Sequence, residues 1–378
     1  MKSNSDGWNK KALKEFNITS FKGVNATKVN DGDSILVPSG AVFPDGIHIE
    51  KCSRIDRSEL NERDRMKELM DGDVLFNTGG MGTLGRVCYF KKDKSDKHYY
   101  SDAFVLVIRV TDPELSSNYL FYWLRSTQAQ AKIERFTVGS TGITAIRTKD
   151  VMSFELSYPA IKNQMQIVTL LKKVENLKRL RTDSNRLINE FLKSVFYDMF
   201  GDDRINNKKN EEILFLDLFN VTTGKLNSNA SNENGKYPFF TCSKQTFKID
   251  SYSFDCEALL LSGNNAAGEY SVKHYNGKFD AYQRTYILTL KDKQNSYEYF
   301  QFLLEKKLAE LKSISIGTNT KYLTLGLMKN IKFMMPATDL QIKFAKIVKQ
   351  IKKIGLKHKN SQQSIENLFD VLIQDAFE

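Results

Sequence analysis

Residues Pro159–Phe200, PAIKNQMQIVTLLKKVENLKRLRTDSNRLINEFLKSVFYDMF, return 177 positions later, without a gap, as Pro336–Phe377, PATDLQIKFAKIVKQIKKIGLKHKNSQQSIENLFDVLIQDAF. Pro159, Gln164, Lys172, Ser184, Ile188, Asp198 and Phe200 recur as Pro336, Gln341, Lys349, Ser361, Ile365, Asp375 and Phe377. Ile167, Leu170, Val174, Leu177, Ile188, Phe191 and Val195 fall on Phe344, Ile347, Ile351, Ile354, Ile365, Leu368 and Leu372. Alternating steps of three and four are the seam of a coiled coil, so the stretch reads as a long helix present twice. Each copy is polar at its middle, at Arg181 and Ser184 in the first and His358 and Ser361 in the second. Packed antiparallel about a pseudo-two-fold axis, the helices would bring these four residues into one layer that fixes register. Charge favours the same orientation. From Lys343 to Lys359 the second helix carries seven lysines and no acid, and Glu366, Asp370, Asp375 and Glu378 come after them. A parallel pair would stack like charges.

Ahead of each helix lies a segment with the same order of parts. In the first, Ser34–Pro38, Asp73–Phe76, Gly85–Phe90 and Ala103–Val110 read as strands. Asn118–Glu134 reads as one helix, and Asp150–Tyr158 as a strand running into Pro159. In the second, Leu216–Thr222 resembles Leu13–Thr19, Ala258–Leu261 resembles Val74–Phe76, Phe279–Tyr282 resembles Ser101–Phe104, and Tyr297–Leu304 resembles Asn118–Leu124. The first segment carries about 26 extra residues, expected as a charge-rich loop around Ile49–Lys67. The predicted architecture is α/β (α+β), an internal repeat: a first globule over 1–158, a long helix over 159–202, a second globule over 203–335 and a second long helix over 336–378.

The chain has 378 residues and a net charge of +11, which suits a polyanionic partner. No run of eighteen apolar residues occurs and Met1–Lys11 is polar, giving the expectation of a cytoplasmic protein without membrane contact. Cys52, Cys88, Cys242 and Cys256 form no CxxC pair and are expected reduced and mostly buried.

Catalytic patterns are missing. The six prolines are never adjacent, which excludes the Asp/Asn-Pro-Pro-aromatic loop of an amino-methyltransferase. Pro44-Asp45 with Glu50-Lys51 departs from the carboxylate and lysine spacing of a metal-dependent nuclease. Gly80-Met-Gly-Thr-Leu-Gly85 spells GxGxxG, but a strand comes after it where a phosphate-binding loop opens a helix, so it reads as a hairpin turn. His48, His98, His274 and His358 lack metal-ligand spacing, so no metal site and no catalytic residue is expected.

Small polar residues in turns let backbone approach DNA, while Asn, Gln and Arg read purine edges. Candidates in the first globule are Asn77, Thr78, Gly79 and Gly80, and Gly139, Ser140, Thr141 and Gly142 with Thr144 and Arg147. In the second they are Ser262, Gly263, Asn264 and Asn265, then Tyr282, Gln283 and Arg284, then Gly317, Thr318, Asn319 and Lys321. Lys172, Lys173, Arg179, Lys352 and Lys353 on the helices are candidate partner contacts.

The globule–helix–globule–helix order, the strand leading to proline and then Gln164 to Ile167 or Gln341 to Phe344, the Gly139-Ser-Thr and Gly317-Thr-Asn loops, and Tyr237-Pro-Phe-Phe-Thr241 together resemble the specificity subunit (HsdS) of type I restriction-modification systems. The entry Pro336-Ala-Thr-Asp-Leu-Gln341 and Phe344 depart from the family's usual residues. The resemblance implies a subunit without catalysis or cofactor of its own. Each globule would read one half of a bipartite asymmetric site on double-stranded DNA, and about 38 residues of helix, on the order of 57 Å, would hold them on successive major grooves. It further implies two methyltransferase subunits docked on the helices, with restriction/translocase subunits for cleavage. Those partners would carry S-adenosylmethionine, ATP and Mg. The residues alone also allow a self-contained DNA-processing enzyme with an unrecognised active site, or a coiled-coil scaffold or adaptor.

Overall fold

The structure is a computed structural model describing residues 7–93, 97–138, 144–202, 210–265, 268–318 and 320–377. Gly139, Ser140, Thr141, Gly142 and Asn319 lie outside the described residues. Contacts divide the chain into two compact units, one made of 1–181 with 361–378 and the other of 182–360. The long helices, Ile161–Phe200 and Thr338–Phe377, are 40 residues each, and each unit takes half of both.

In the first unit, Ile18–Lys22, Val105–Val110, Val74–Asn77 and Val87–Tyr89 form an antiparallel sheet in that order. Ser53–Ile55, Ser34–Val37 and His98–Ser101 form a second sheet, its last pair parallel. The second unit fuses the two. Its six strands run Phe219–Thr223, Thr285–Leu290, Phe254–Ser262, Val272–Ala281, Tyr237–Phe240, Thr246–Ile249, because Val272–Ala281 does in one ten-residue run what Val87–Tyr89 and His98–Ser101 do separately. Gly277 sits within that strand at φ +133°, a conformation that favours glycine. In both units the strand entering the long helix is paired, Glu155–Tyr158 with Asn9–Ala12 and Lys332–Met335 with Glu211–Leu214.

Several expectations change. Asn118–Glu134 is two helices, Ser117–Leu124 and Thr127–Phe136, since the buried Ser126 hydroxyl accepts from the amide of Ala129 and caps a new start. The second unit breaks at the same place, between Tyr297–Lys306 and Leu308–Ile314. Thr148–Met152 is helical, so the strand is limited to Glu155–Tyr158. The extra residues of the first unit are not a loop at Ile49–Lys67. One part, 38–52, holds the hairpin Val42–Phe43 and Gly46–Ile47 where only 241–245 join the equivalent strands of the second unit. Another, 56–73, contains the helix Glu62–Arg65, capped by Asn61. The ladders also make Ser101–Phe104 of the first unit equivalent to Ala281–Arg284 of the second, two residues from the match read in the sequence: the amides of Thr78 and Gly263 donate to Phe104 and Arg284 respectively.

The helix seam shifts too. Val168, Leu171 and Val174 pack with Phe369, Ile373 and Phe377 in the first unit, and Phe196 and Phe200 with Phe344 and Val348 in the second. Within each unit the start of one helix therefore lies against the end of the other, the antiparallel arrangement. Leu170, Leu177, Phe191, Ile354 and Leu368, read as seam residues, are 43–58% exposed. Val174 and Phe344 keep the places read for them, and elsewhere the seam moves to neighbouring positions because a 3.6-residue turn drifts from a strict 3.5 repeat.

The shared glutamines anchor each helix to its own unit. Gln164, fully buried, accepts from the amide of Ser116 at 2.9 Å and donates to the carbonyls of Glu114 and Pro159 at 2.7 and 2.9 Å. Gln341 accepts from the amide of Ser296 at 3.1 Å and donates to Asn295 Oδ1 and the Pro336 carbonyl at 3.1 and 2.9 Å. Each closes the N-terminus of a short helix onto a long one. Gln164→Ala or Gln341→Ala leaves buried partners unsatisfied and is expected to cost roughly 2–3 kcal/mol, measured by urea unfolding.

Candidate nucleic-acid interface

The sequence candidates separate by burial. Asn77, Thr78 and Ser262 are 0–1% exposed and turned inward: Asn77 Nδ2 donates to the Ser39 carbonyl, Thr78 Oγ1 to that of Phe104, and Ser262 Oγ accepts from the Ser271 amide. They build the loops beyond their strands, and their side chains point into the protein. The turn after Thr78 is exposed at Met81 and Gly82. Gly80, Gly82 and Gly85 turn with φ of +105°, +70° and +76° between paired strands, so GxGxxG is a hairpin turn.

Both units bring together the same two loops. In the first, Gly79 bridges Ala145, and the Ile146 amide donates to Thr78; Thr144 and the exposed Arg147 thereby flank the glycine turn. In the second, Asn264 and Asn265 pair with Tyr322 and Lys321, and the Leu323 amide donates to Gly263. Arg284 joins them, its guanidinium 5.3 Å from the Tyr322 ring centre, while Gln283 donates to Asn227. Gly317, at φ +110°, and the exposed Thr318 belong to the same loop, which folds back through the Ile316–Tyr322 bridge. Tyr282 is half-buried and bridges Leu226.

Further cations stand beside these loops. Arg86 and Lys51 lie 4.9 and 4.2 Å from the ring centre of Phe43, which also stacks on His48. Asp45 and Glu50 pair with His48 rather than gathering around a metal position. In the second unit Lys273 donates to the carbonyls of Ser243 and Gln245 at 2.8 and 2.6 Å, and burial holds its ammonium below the usual lysine range. Lys244, paired with Glu269, and Lys312 of the helix Leu308–Ile314 stand beside the turn at Gly268. No sequence signal marks these residues, because they meet the loops only through sheet pairing. Burial pushes the thiol of Cys52 up to about 11 and that of Cys88 to about 12, so both stay protonated. All four cysteines are free, and only Cys88 is buried; the other three are half-buried.

On the long helices, Arg181 donates to Ser361 Oγ at 3.0 Å within the first unit. Within the second, Ser184 Oγ and Asn185 Oδ1 lie 3.5 and 3.3 Å from His358 Nδ1. Lys172 stands 5.6 Å over the Tyr89 ring and Lys352 donates to Gln301 at 2.8 Å, so both already have partners inside their units. Lys173 and Lys353 are exposed, and Arg179 donates to Asn176 one turn away.

Two loops per unit, built from small residues and flanked by cations, define a candidate binding surface. The family model for the type I restriction modification DNA specificity domain matches residues 56–190 and 207–367, and the chain belongs to that family. The family is the non-catalytic recognition component of type I restriction-modification systems. The Escherichia coli type I restriction enzyme EcoDI specificity subunit is 36% identical over 125 residues, 33% of this chain and 27% of that protein. The match thus spans about a quarter of that relative. The type I restriction-modification S subunit of M. genitalium superposes with a TM-score of 0.67 at 18% identity, over 100% of this chain and 98% of the other. A structure from work on complex assembly and conformational transition of the type I system gives 0.54 at 15% identity, over 98% of both chains. These two likenesses concern the fold. No helix among the described residues is long and apolar enough to cross a membrane.

Proposed function

We propose that this chain is the DNA sequence-specificity subunit of a type I restriction-modification complex, each globule reading one half of a bipartite, asymmetric site on double-stranded DNA. The observation that carries this is the matched loop pair: Gly79 with Ala145 and Asn264 with Tyr322 occupy equivalent places in two units whose loops otherwise differ. A shared scaffold with divergent tips is what two readers of different half-sites require. Thr144 and Arg147 read on the first unit, and Asn264, Asn265, Gln283, Arg284 and Lys321 on the second. Backbone amides of the glycine turns and the nearby lysines meet phosphates.

The helices serve as spacers and as the docking surface for two methyltransferase subunits. Leu177 and Ile354, and Phe191 and Leu368, are apolar and exposed at matching positions of both copies, with Lys173 and Lys353 beside them as the polar rim. S-adenosylmethionine, ATP and Mg belong to the partners. Alone, the chain neither methylates nor cuts DNA; mixed with its methyltransferase subunit, it directs methylation to one split sequence. Turnover by the isolated chain would overturn the reading. Leu177→Glu combined with Leu368→Glu is expected to abolish co-purification with the methyltransferase subunit while leaving the circular dichroism spectrum unchanged.

A further inference from the structure

The second unit gathers three metal-ligating side chains that the sequence keeps apart. Glu257 and His274 are diagonal neighbours on paired strands, with His274 Nε2 2.8 Å from Glu257 Oε1, and Glu298 comes from the first turn of Tyr297–Lys306. One donor atom from each lies within 4.8 Å of the other two. Among the described residues this is the one such group of three. Glu298 and His274 are largely buried, their side chains 9% and 14% exposed. The imidazole is held in place by stacking on Tyr297, with 7° between the planes and 5.5 Å between centres, and Tyr297 is itself fixed by the Leu290 amide on its hydroxyl.

Glu257 and Glu298 open onto a cavity of about 1090 Å³, which Cys256, Tyr297, Lys346 and Lys349 also line. Lys349 places its ammonium 3.1 Å from Glu298, a positive charge balancing the carboxylates. The first unit has no counterpart. Tyr89 holds the ladder position of His274, opposite Val74 as His274 is opposite Leu259. Asn118 stands second in its helix, as Glu298 does, and Gly72 precedes Val74 by two residues, as Glu257 precedes Leu259. A Cβ at Gly72 would come within 3.6 Å of the Tyr89 hydroxyl, so the tyrosine fills the space that is open in the second unit.

We infer that Glu257, His274 and Glu298 form a binding site for one divalent transition-metal ion of the zinc class. One imidazole and two carboxylates make a three-ligand set with a position left for water, and the mixed nitrogen–oxygen donors select such ions over magnesium or calcium. On binding, the metal replaces the hydrogen bond between His274 and Glu257 and displaces Lys349 from Glu298. The bound ion ties two strands of the sheet to the helix that Gln341 anchors. Its role is structural and confined to one unit.

The test uses the full chain, stripped with a chelator and free of DNA, so it stands apart from the DNA-reading proposal. Zinc is titrated by calorimetry, and cobalt is followed by visible absorption. The wild type is expected to bind one equivalent, His274→Gln to bind at least 50-fold more weakly and Glu298→Gln at least 10-fold. Lys349→Met should bind several-fold more tightly, because the competing ammonium is gone. Metal-free melting of His274→Gln within a few degrees of wild type shows that the fold is kept; should Glu298→Gln fail to fold, His274→Gln with Lys349→Met still decides. Undiminished binding by His274→Gln, meaning an adventitious ion only, or no wild-type binding below millimolar zinc, would overturn the assignment.

Discussion

Phe200→Ala is expected to destabilise the second unit by about 3–5 kcal/mol, the range for removing a fully buried phenylalanine. The ring is 1% exposed, and its centre lies 4.8 Å from Tyr299, 5.1 Å from Phe196 and 5.5 Å from Phe344. Its repeat mate Phe377 meets one ring, Tyr119, at 5.1 Å, in the last turn of its helix. With one such ring neighbour in place of three, Phe377→Ala is expected to lose about half as much. The chain offers a built-in readout, because both tryptophans, Trp8 and Trp123, belong to the first unit. In urea, Phe200→Ala should move the circular dichroism transition and leave the tryptophan fluorescence transition in place, whereas Phe377→Ala should move the fluorescence. If Phe200→Ala shifts both signals together, the units do not unfold separately.

The second large effect concerns recognition. In the assembled complex, Arg284→Ala is expected to weaken binding to the cognate site by about 1–3 kcal/mol, roughly five- to 150-fold, and to relax discrimination in one half-site only. Arg147→Ala should do the same for the other half. The asymmetry is what distinguishes base reading from general charge: loss of a phosphate contact weakens all sequences alike and lowers the salt dependence. Arg284 is held against Tyr322, so the loss combines a contact with a pre-positioned side chain. Selection of methylated sites from a randomised library, with each variant, measures which half changes. Relaxation of both halves by a single substitution would contradict modular reading.

Much of the architecture was legible because it rests on local chemistry. The gap-free return of Pro159–Phe200 as Pro336–Phe377 disclosed two 40-residue helices and a chain built twice, since helical periodicity and proline placement act over a few residues. The GxGxxG stretch read correctly as a turn because Arg86–Phe90 behind it is a short run of strand-forming residues rather than the start of a helix. Boundaries failed where a single side chain decided them, as at Ser126, which starts a second helix inside an expected single one.

Tertiary structure alone decided which polar residues face outward. Asn77, Thr78 and Ser262 look like readers when judged by residue type, yet each completes hydrogen bonds of a buried loop, because a strand end needs its backbone satisfied before any ligand does. The exposed apolar stripe at Leu177 and Leu368 likewise emerged only once the true seam was set by 3.6-residue turns. Glu257, His274 and Glu298 have no spacing that a sequence scan recognises; strand pairing and one helix start bring them together. The sequence by itself determined the repeat, the helices and the absence of catalytic motifs, since those depend on neighbours along the chain. The register of the sheets, the faces of the helices and the convergence of distant loops depend on contacts across it, and only the folded chain decided those.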